Sequence, residues 1–317
     1  MRLDRLRRRP GGTIDRRSSS GGSGGFPGLG GRGPSPFPGS SGGGFPTRRA
    51  GGIGGLGLLL VVVLVVLLSQ CMGSQGGSLI PDPGAIDGFP AVPDTGSTAQ
   101  VDPSDPTGQF VDAVGDDIQV TWDEVFTAAG RSYAPTAIVL YSGRTQTGCG
   151  LGTAQTGPFY CPLDRRVYLD TSFFHELDKR FGAAGDFAQA YVIAHEIGHH
   201  VQTLLGINAQ VQRASQRDPS QANALSVRLE LQADCLAGVW ASSANARGVL
   251  EAGDLQEGLT AAAAVGDDRI QQSVNGRIDP ETWTHGSAAQ RQRWLQRGFD
   301  EGSISACDTF SVPADQL

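Results

Sequence analysis

The sequence predicts a helix-rich α+β fold with a small sheet, and three observations support this prediction. Apolar residues recur at helical spacing in several segments, namely 120–130, 173–181, 186–205, 220–242, 254–274 and 286–298. Two short runs, 137–141 and 166–170, have the composition of strands. The region from residue 107 to residue 317 is long enough for one domain with a real core. Because helical segments outnumber strands, we expect an α+β domain with more helix than strand.

The front of the chain predicts a disordered tail followed by a membrane anchor. Residues 1–50 contain ten arginines, two aspartates and runs of Gly, Ser and Pro, which bury too little apolar surface to fold. Residues 51–72 are predicted to form one transmembrane helix, because 56–68 carry no charge and the flanks extend this run to about 20 residues. The arginines predict a single-pass protein whose N-terminus is cytoplasmic and whose catalytic domain is extracytoplasmic. A cleaved signal peptide is less favoured, since its charged region would be unusually long.

The rest of the chain is predicted to be a Gly/Pro-rich linker, 73–106, and one folded domain, 107–317. Subtracting the ten arginines and two aspartates of the tail from the 25 basic and 32 acidic residues leaves 15 basic and 30 acidic residues. This excess of acid argues against nucleic acid as a partner of the domain.

The most specific motif is His195-Glu196-Ile197-Gly198-His199. Residues four apart lie on one face of a helix, so His195 and His199 can present two imidazoles to one metal ion. Glu196 follows the first of them and can act on a water molecule at that metal. This pattern is typical of zinc metalloproteases when it lies on a helix.

The residues around this motif favour a helix from 186 to 205. Asp186 is a suitable N-cap and Gly206 a suitable C-terminal stop. Gly198 costs about 1 kcal/mol relative to Ala within a helix, which indicates that another element packs closely there. His200 points about 100° away from His199, so it is not expected to bind the same metal.

A catalytic zinc needs a third protein ligand, and the best candidate lies in the next long helical segment. Glu230 and Asp234 are one turn apart and share a helix face. We expect Glu230 to bind the metal and Asp234 to accept the free N–H of a ligand histidine, which would fix its tautomer. Asp234 as the third ligand is the alternative.

Four cysteines fall within the predicted domain, at positions 149, 161, 235 and 307. An even number in an extracytoplasmic domain predicts two disulfide bonds. The short Gly-rich segment between Cys149 and Cys161 favours a local pair, which leaves Cys235 to pair with Cys307. Sequence alone allows three pairings. A zinc–thiolate site is less favoured, because no C-x-x-C spacing is present.

Two further residues could help a hydrolytic reaction at the metal. His285 or Tyr168 could donate a hydrogen bond to a developing oxyanion, although His285 could equally cap a loop or helix. The strand at 167–169 is the candidate to hold an extended peptide by β-augmentation.

Several segments resemble the bacterial neutral zinc metallopeptidases, which are membrane-anchored and zincin-like. The matching segments are 157–162, 167–170, 194–202, 230–235, 266–268 and 284–287, and they occur in the order typical of that family. The resemblance implies a zincin-like fold, with His195 and His199 as zinc ligands and Glu196 as the catalytic base. It also implies that Glu230 binds the metal and that Asp234 orients a ligand histidine.

These patterns together predict a membrane-anchored zinc (Zn²⁺) endopeptidase that acts on protein or peptide substrates. The rival hypothesis is a non-catalytic, zinc-stabilised binding or scaffold protein of the cell envelope. Glu196 argues against this rival, because a structural zinc site needs no adjacent base. An esterase or amidase that uses the same zinc is a lesser option.

Overall fold

A computed structural model of the chain describes residues 1–9, 12–17, 100–179 and 181–317. These residues belong to one compact unit. The predicted transmembrane helix at 51–72 and most of the predicted tail and linker lie outside the described residues. Within the described ranges, every helix is too short or too polar to cross a bilayer.

The described residues form a helix-rich α+β fold, as the sequence predicts. The helices are α1 (Pro106–Ala128), α2 (Ser172–Lys179), α3 (Asp186–Leu204), α4 (Ile207–Arg217), α5 (Ala222–Ala246), α6 (Asp254–Ala264), α7 (Asp267–Asn275) and α8 (Ala288–Glu301).

Two of the predicted helices differ in extent from those observed. Helix α1 begins some 14 residues earlier than predicted, because Asp105 caps the backbone N–H groups of Thr107 and Gly108 and Pro106 occupies the first turn. The predicted helix 254–274 is two helices, α6 and α7, with a break at Val265 and Gly266.

The strands form one four-stranded sheet and a separate hairpin. They are β1 (Thr13–Asp15), β2 (Ala137–Tyr141), β3 (Arg144–Thr147), β4 (Gly150–Thr153), β5 (Phe159–Cys161) and β6 (Arg166–Asp170). The sheet order is β1-β2-β6-β5. Strands β1, β2 and β6 run parallel, and β5 is antiparallel to β6. Strands β3 and β4 form the hairpin.

The two faces of the sheet lie in different apolar clusters. Val167 and Leu169 of β6 belong to the main core, together with residues of α3 and α5. Tyr168, between them, belongs to a smaller cluster on the other face, where Phe159 stacks on its ring with centroids 5.2 Å apart. This alternation follows from the two-residue period of a strand. The side chain of Tyr168 therefore lies on the face of the sheet opposite to α3 and α5.

The first residues of the chain are part of the folded domain, so the prediction of a disordered tail is wrong for residues 1–9 and 12–17. Strand β1 pairs in register with residues 138–140 of β2. Arg7 lies beside the buried carboxylate of Asp117 in α1, and Arg8 bonds Asp112 at 2.7 Å. Composition alone predicts disorder because it does not show that these arginines pair with acidic residues about 100 positions away.

The β1–β2 pairing also bears on membrane orientation. Hydrogen-bonded neighbours in one sheet lie on the same side of any membrane. A cytoplasmic N-terminus combined with an extracytoplasmic catalytic domain, as expected from the arginines, does not fit this pairing.

Close helix packing brings the histidine motif to the acidic helix. Gly198 of α3 lies against the backbone of Ala233 in α5, and a Cβ at Gly198 would lie 3.1 Å from the Ala233 carbonyl oxygen. The close packing indicated by this glycine is thereby confirmed. A larger side chain would push apart the two helices that carry the predicted ligands.

Both expected disulfides are present. Cys149 in the hairpin turn is bonded to Cys161 at the end of β5, and Cys235 of α5 is bonded to Cys307 near the C-terminus. The second bond joins α5, one residue beyond Asp234, to the C-terminal segment.

Candidate metal centre

Helices α3 and α5 bring three metal-binding side chains together. One donor atom each from His195, His199 and Glu230 lies within 4.8 Å of the other two. Glu230 Oε2 is 3.1 Å from His195 Nε2, and Glu230 Oε1 is 3.5 Å from His199 Nε2. Tetrahedral zinc, with bonds of about 2.0–2.1 Å, holds its ligand atoms about 3.4 Å apart. The residues present therefore fit a zinc ion bound by two imidazoles and one carboxylate.

The imidazole of His195 is oriented by a buried carboxylate. Its Nδ1 lies 2.8 Å from Asp234 Oδ1, which leaves Nε2 directed at Glu230. Tyr191 donates to the same oxygen at 2.6 Å, and Arg291 donates to both Asp234 oxygens at 2.8 and 2.9 Å. The carboxylate is therefore fully hydrogen-bonded, and it favours the tautomer of His195 whose Nε2 can bind a metal.

The imidazole of His199 is oriented by an amide that the sequence did not single out. Gln202 Oε1 lies 2.8 Å from His199 Nδ1, and Gln202 Nε2 donates to the Leu229 carbonyl at 2.7 Å. The same amide bonds Gln232, which in turn donates to the Cys307 carbonyl at 2.9 Å. Both ligand histidines thus have a buried partner on Nδ1. The three-residue spacing from His199 to Gln202 was the only signal in the sequence.

The charges around these residues favour a bound cation. Burial opposes a charge on His195, but the carboxylates of Asp234 and Glu230 raise the pKa of its imidazole to about 10. Burial also disfavours the Glu230 carboxylate, yet the neighbouring imidazoles of His199 and His285 hold its pKa well below its usual value. The same carboxylates would stabilise a divalent cation that displaces the proton of His195.

Glu196 follows His195 in α3 and is 8 % exposed. It is not one of the three residues whose donor atoms converge. It lies one residue after His195, on the central turns of α3, and its role as a base stays a prediction.

The loop that carries His285 is fixed beside Glu230. The backbone N–H groups of residues 284, 285 and 286 all donate to one oxygen of Asp267, at 2.8, 2.6 and 2.9 Å. Gly286 has a φ of +87°, and a Cβ there would lie 3.3 Å from Leu231, the residue after Glu230. Burial alone would lower the pKa of His285, but Glu230 and Asp267 raise it above its usual value.

Two other aromatic residues lie away from the three ligands. The hydroxyl of Tyr168 donates to Asp164 at 2.7 Å on the far face of the sheet, so the hypothesis that Tyr168 stabilises an oxyanion is wrong. His200 is buried, and it bonds Tyr160 and the carbonyl of Ala134 instead of joining the ligands. These contacts agree with the prediction, from helical geometry, that His200 does not bind the metal.

The prediction that the strand at 167–169 binds a peptide is wrong. Strand β6, which contains 167–169, pairs with β2 on one side and β5 on the other, so its edges are occupied. Within the described residues, β5 is the strand at this end of the sheet. A single sequence does not show the order of strands in a sheet, so it does not show which strand lies at the edge.

Comparison with known proteins gives a family for the chain. Residues 1–310 match the family described as "Putative neutral zinc metallopeptidase". The chain belongs to this family. The match includes the N-terminal residues that form β1, in agreement with their place in the fold.

Two bacterial proteins illustrate the similarity within this family. It is 45 % identical over 298 residues to "Uncharacterized protein YpfJ" of Escherichia coli (strain K12), covering 93 % of this chain and 94 % of that protein. It is 47 % identical over 211 residues to "Uncharacterized protein Rv2575" of Mycobacterium tuberculosis (strain ATCC 25618 / H37Rv), covering 63 % of this chain and 69 % of that protein. No solved structure matches the chain.

Replacing Gln202 by Leu is expected to weaken zinc binding. The change removes the acceptor that holds His199 Nδ1, and loss of such a partner typically lowers metal affinity about 10-fold or more. Affinity is measured by competition between the metal-free protein and a chelating dye. Gln210→Leu, on the exposed surface of α4, is the control. Equal affinity in Gln202→Leu and the wild type would show that Gln202 does not position the ligand.

Proposed function

We propose that this protein is a zinc-dependent endopeptidase of zincin-like fold. The observation that carries the proposal is the convergence of His195, His199 and Glu230 within 4.8 Å, with Glu196 next to the first ligand. Two histidines and a glutamate form the ligand set of known zinc peptidases. Membership of the metallopeptidase family supports the same conclusion.

Each residue of the site has a role in the proposed reaction. Zinc, when bound, supplies a Lewis acid that polarises the scissile carbonyl and lowers the pKa of a water molecule toward about 7. Glu196 takes the proton of the attacking water and passes it to the nitrogen of the leaving amine. Asp234 and Gln202 keep the two imidazoles in the orientation that Nε2 coordination requires.

His285 is proposed to donate a hydrogen bond to the oxyanion. The raised pKa of its imidazole favours the protonated donor form, and the bonds of its loop to Asp267 hold it in place. We expect His285→Ala to lower kcat by about 100-fold with little change in KM, as for the loss of an oxyanion donor. Steady-state kinetics on a quenched peptide measure both constants. A wild-type kcat in this variant would remove His285 from the reaction.

An extended substrate is proposed to pair with the outer edge of β5. Strand β5 contacts α3, and Tyr160 links the two through His200. Backbone pairing at a sheet edge suits a peptide of varied sequence, because it uses groups common to all residues.

The proposed function is tested by metal content and cleavage of a casein-like substrate. We expect about one zinc per chain, cleavage that stops with a chelator and cleavage that returns with added zinc. A protein that binds one zinc, cleaves no substrate and unfolds on chelation would instead be the non-catalytic, zinc-stabilised scaffold protein of the rival hypothesis. Glu230→Gln is expected to lose both zinc and cleavage, whereas Glu281→Gln on the surface keeps both.

We further propose that the N-terminal residues and the metal centre both lie outside the cytoplasm, in place of the single-pass arrangement with a cytoplasmic N-terminus. Two disulfides support an oxidising compartment for the domain. The pairing of β1 with β2 supports the same location for residues 12–17.

The location is tested with single cysteines at two equally exposed positions, Leu3 (45 %) and Ile278 (44 %), in a Cys71→Ser background. A membrane-impermeant maleimide added to intact spheroplasts is expected to label Leu3→Cys and Ile278→Cys alike. Labelling of Ile278→Cys alone would place the two ends on opposite sides and contradict the proposal.

A further inference from the structure

His200 connects the ligand-bearing helix α3 to the sheet through both of its ring nitrogens. Its Nε2 lies 2.6 Å from the carbonyl oxygen of Ala134, and its Nδ1 lies 3.1 Å from the hydroxyl of Tyr160. A carbonyl oxygen can only accept, so Nε2 carries the proton and Nδ1 accepts from the hydroxyl. His200 is 1 % exposed, and it directly follows the ligand His199. One neutral imidazole therefore joins α3 to β5 and to the loop before β2.

Tyr160 places the other end of this connection at the centre of β5. It pairs with Val167 of β6, and both side chains lie in the main core. Phe159 and Cys161, on either side, lie in the cluster on the opposite face. The Tyr160 hydroxyl is therefore directed from the last strand of the sheet toward α3, and its bond to His200 has a fixed direction as well as a fixed length.

We propose that Tyr160 and His200 are positioning residues, which set the distance between the outer edge of β5 and the metal ligands of α3. This inference rests on the proposed function, because it matters only if a peptide paired with β5 is cut at that metal. Such a peptide must bring one carbonyl to the metal while its neighbouring residues are held by the strand. A displacement of about 1 Å between strand and ligands can cost about 100-fold in rate.

The inference predicts a dependence on substrate length. A peptide of about ten residues is about 33 Å long when extended, at about 3.3 Å per residue, so it can pair along the three residues of β5 and extend well beyond them. A blocked dipeptide reaches the metal without pairing along β5. Loosening the Tyr160–His200 bond should therefore slow cleavage of the long peptide and leave the short one unaffected. The loss should fall on kcat, because the strand edge that binds the long peptide is still present.

The test compares Tyr160→Phe with Tyr133→Phe. Tyr133 also packs against His200, with ring centroids 5.8 Å apart, but its hydroxyl has no hydrogen-bond partner in the part of the chain that the structure describes. Each variant loses one buried hydroxyl beside the same imidazole, and only Tyr160→Phe loses the bond. Zinc affinity and thermal unfolding are measured for both variants, together with kcat and KM on both peptides.

We expect Tyr160→Phe to lower kcat on the long peptide about 10-fold, with KM, zinc affinity and cleavage of the short peptide unchanged. Tyr133→Phe is expected to match the wild type on both peptides. An equal loss on both peptides, a loss of zinc affinity, or no loss at all in Tyr160→Phe would each overturn the inference. If the wild type itself cuts neither peptide, the proposed function fails, and the inference fails with it.

Discussion

Glu196→Gln is expected to lower kcat for peptide cleavage by about 100-fold to 10,000-fold while zinc stays bound. The amide cannot accept the proton of the attacking water, so the leaving amine receives none. Zinc is retained because Glu196 is not among the converging donors His195, His199 and Glu230. The two measurements are the zinc content of the purified variant and its rate on a quenched peptide.

The matched control for this change is Glu281→Gln, which makes the same chemical substitution on an exposed residue. It should keep the wild-type rate and zinc content. A Glu196→Gln variant that cleaves as fast as the wild type would exclude Glu196 as the base. Loss of zinc from that variant would instead make Glu196 part of the ligand set.

Removing the Cys235–Cys307 disulfide is expected to lower the free energy of unfolding by about 4 kcal/mol. The bond joins residues 72 apart in sequence, and the cost of releasing a loop of this length follows from the chain entropy of the unfolded state. Urea unfolding of the double variant Cys235→Ala/Cys307→Ala measures this loss.

The second disulfide provides the control. Cys149 and Cys161 are 12 apart in sequence, so Cys149→Ala/Cys161→Ala should cost less, about 3 kcal/mol. The Cys307 carbonyl accepts from Gln232, which bonds Gln202, so the first double variant should also bind zinc more weakly. A larger loss of stability from the short loop than from the long one would contradict this account.

The side chains that converge, His195, His199 and Glu230, could be selected from the sequence because their spacing within each helix is local. His195 and His199 share a face at a separation of four, and Glu230 and Asp234 do so on a second helix. The strands 137–141 and 166–170 were also predicted with the observed bounds, since β-branched and aromatic residues fill a buried sheet.

The supporting residues could not be predicted, because their partners are distant in sequence. Arg291 lies 57 positions after Asp234 and reaches it only when α8 packs on α5. Strand β1 has little apolar character of its own, and its pairing with β2 spans more than 120 residues. The error over Tyr168 has the same origin, since a strand's period shows which residues share a face but not which face meets the helices.

The central claim is that zinc held by His195, His199 and Glu230 cleaves peptide bonds. The most direct test is a titration of metal-free protein with zinc, in which occupancy and the rate on one quenched peptide are measured in the same samples. We predict that the rate rises in proportion to bound zinc and reaches its maximum at about one zinc per chain. Full occupancy with no cleavage, or cleavage that does not depend on bound zinc, would contradict the claim.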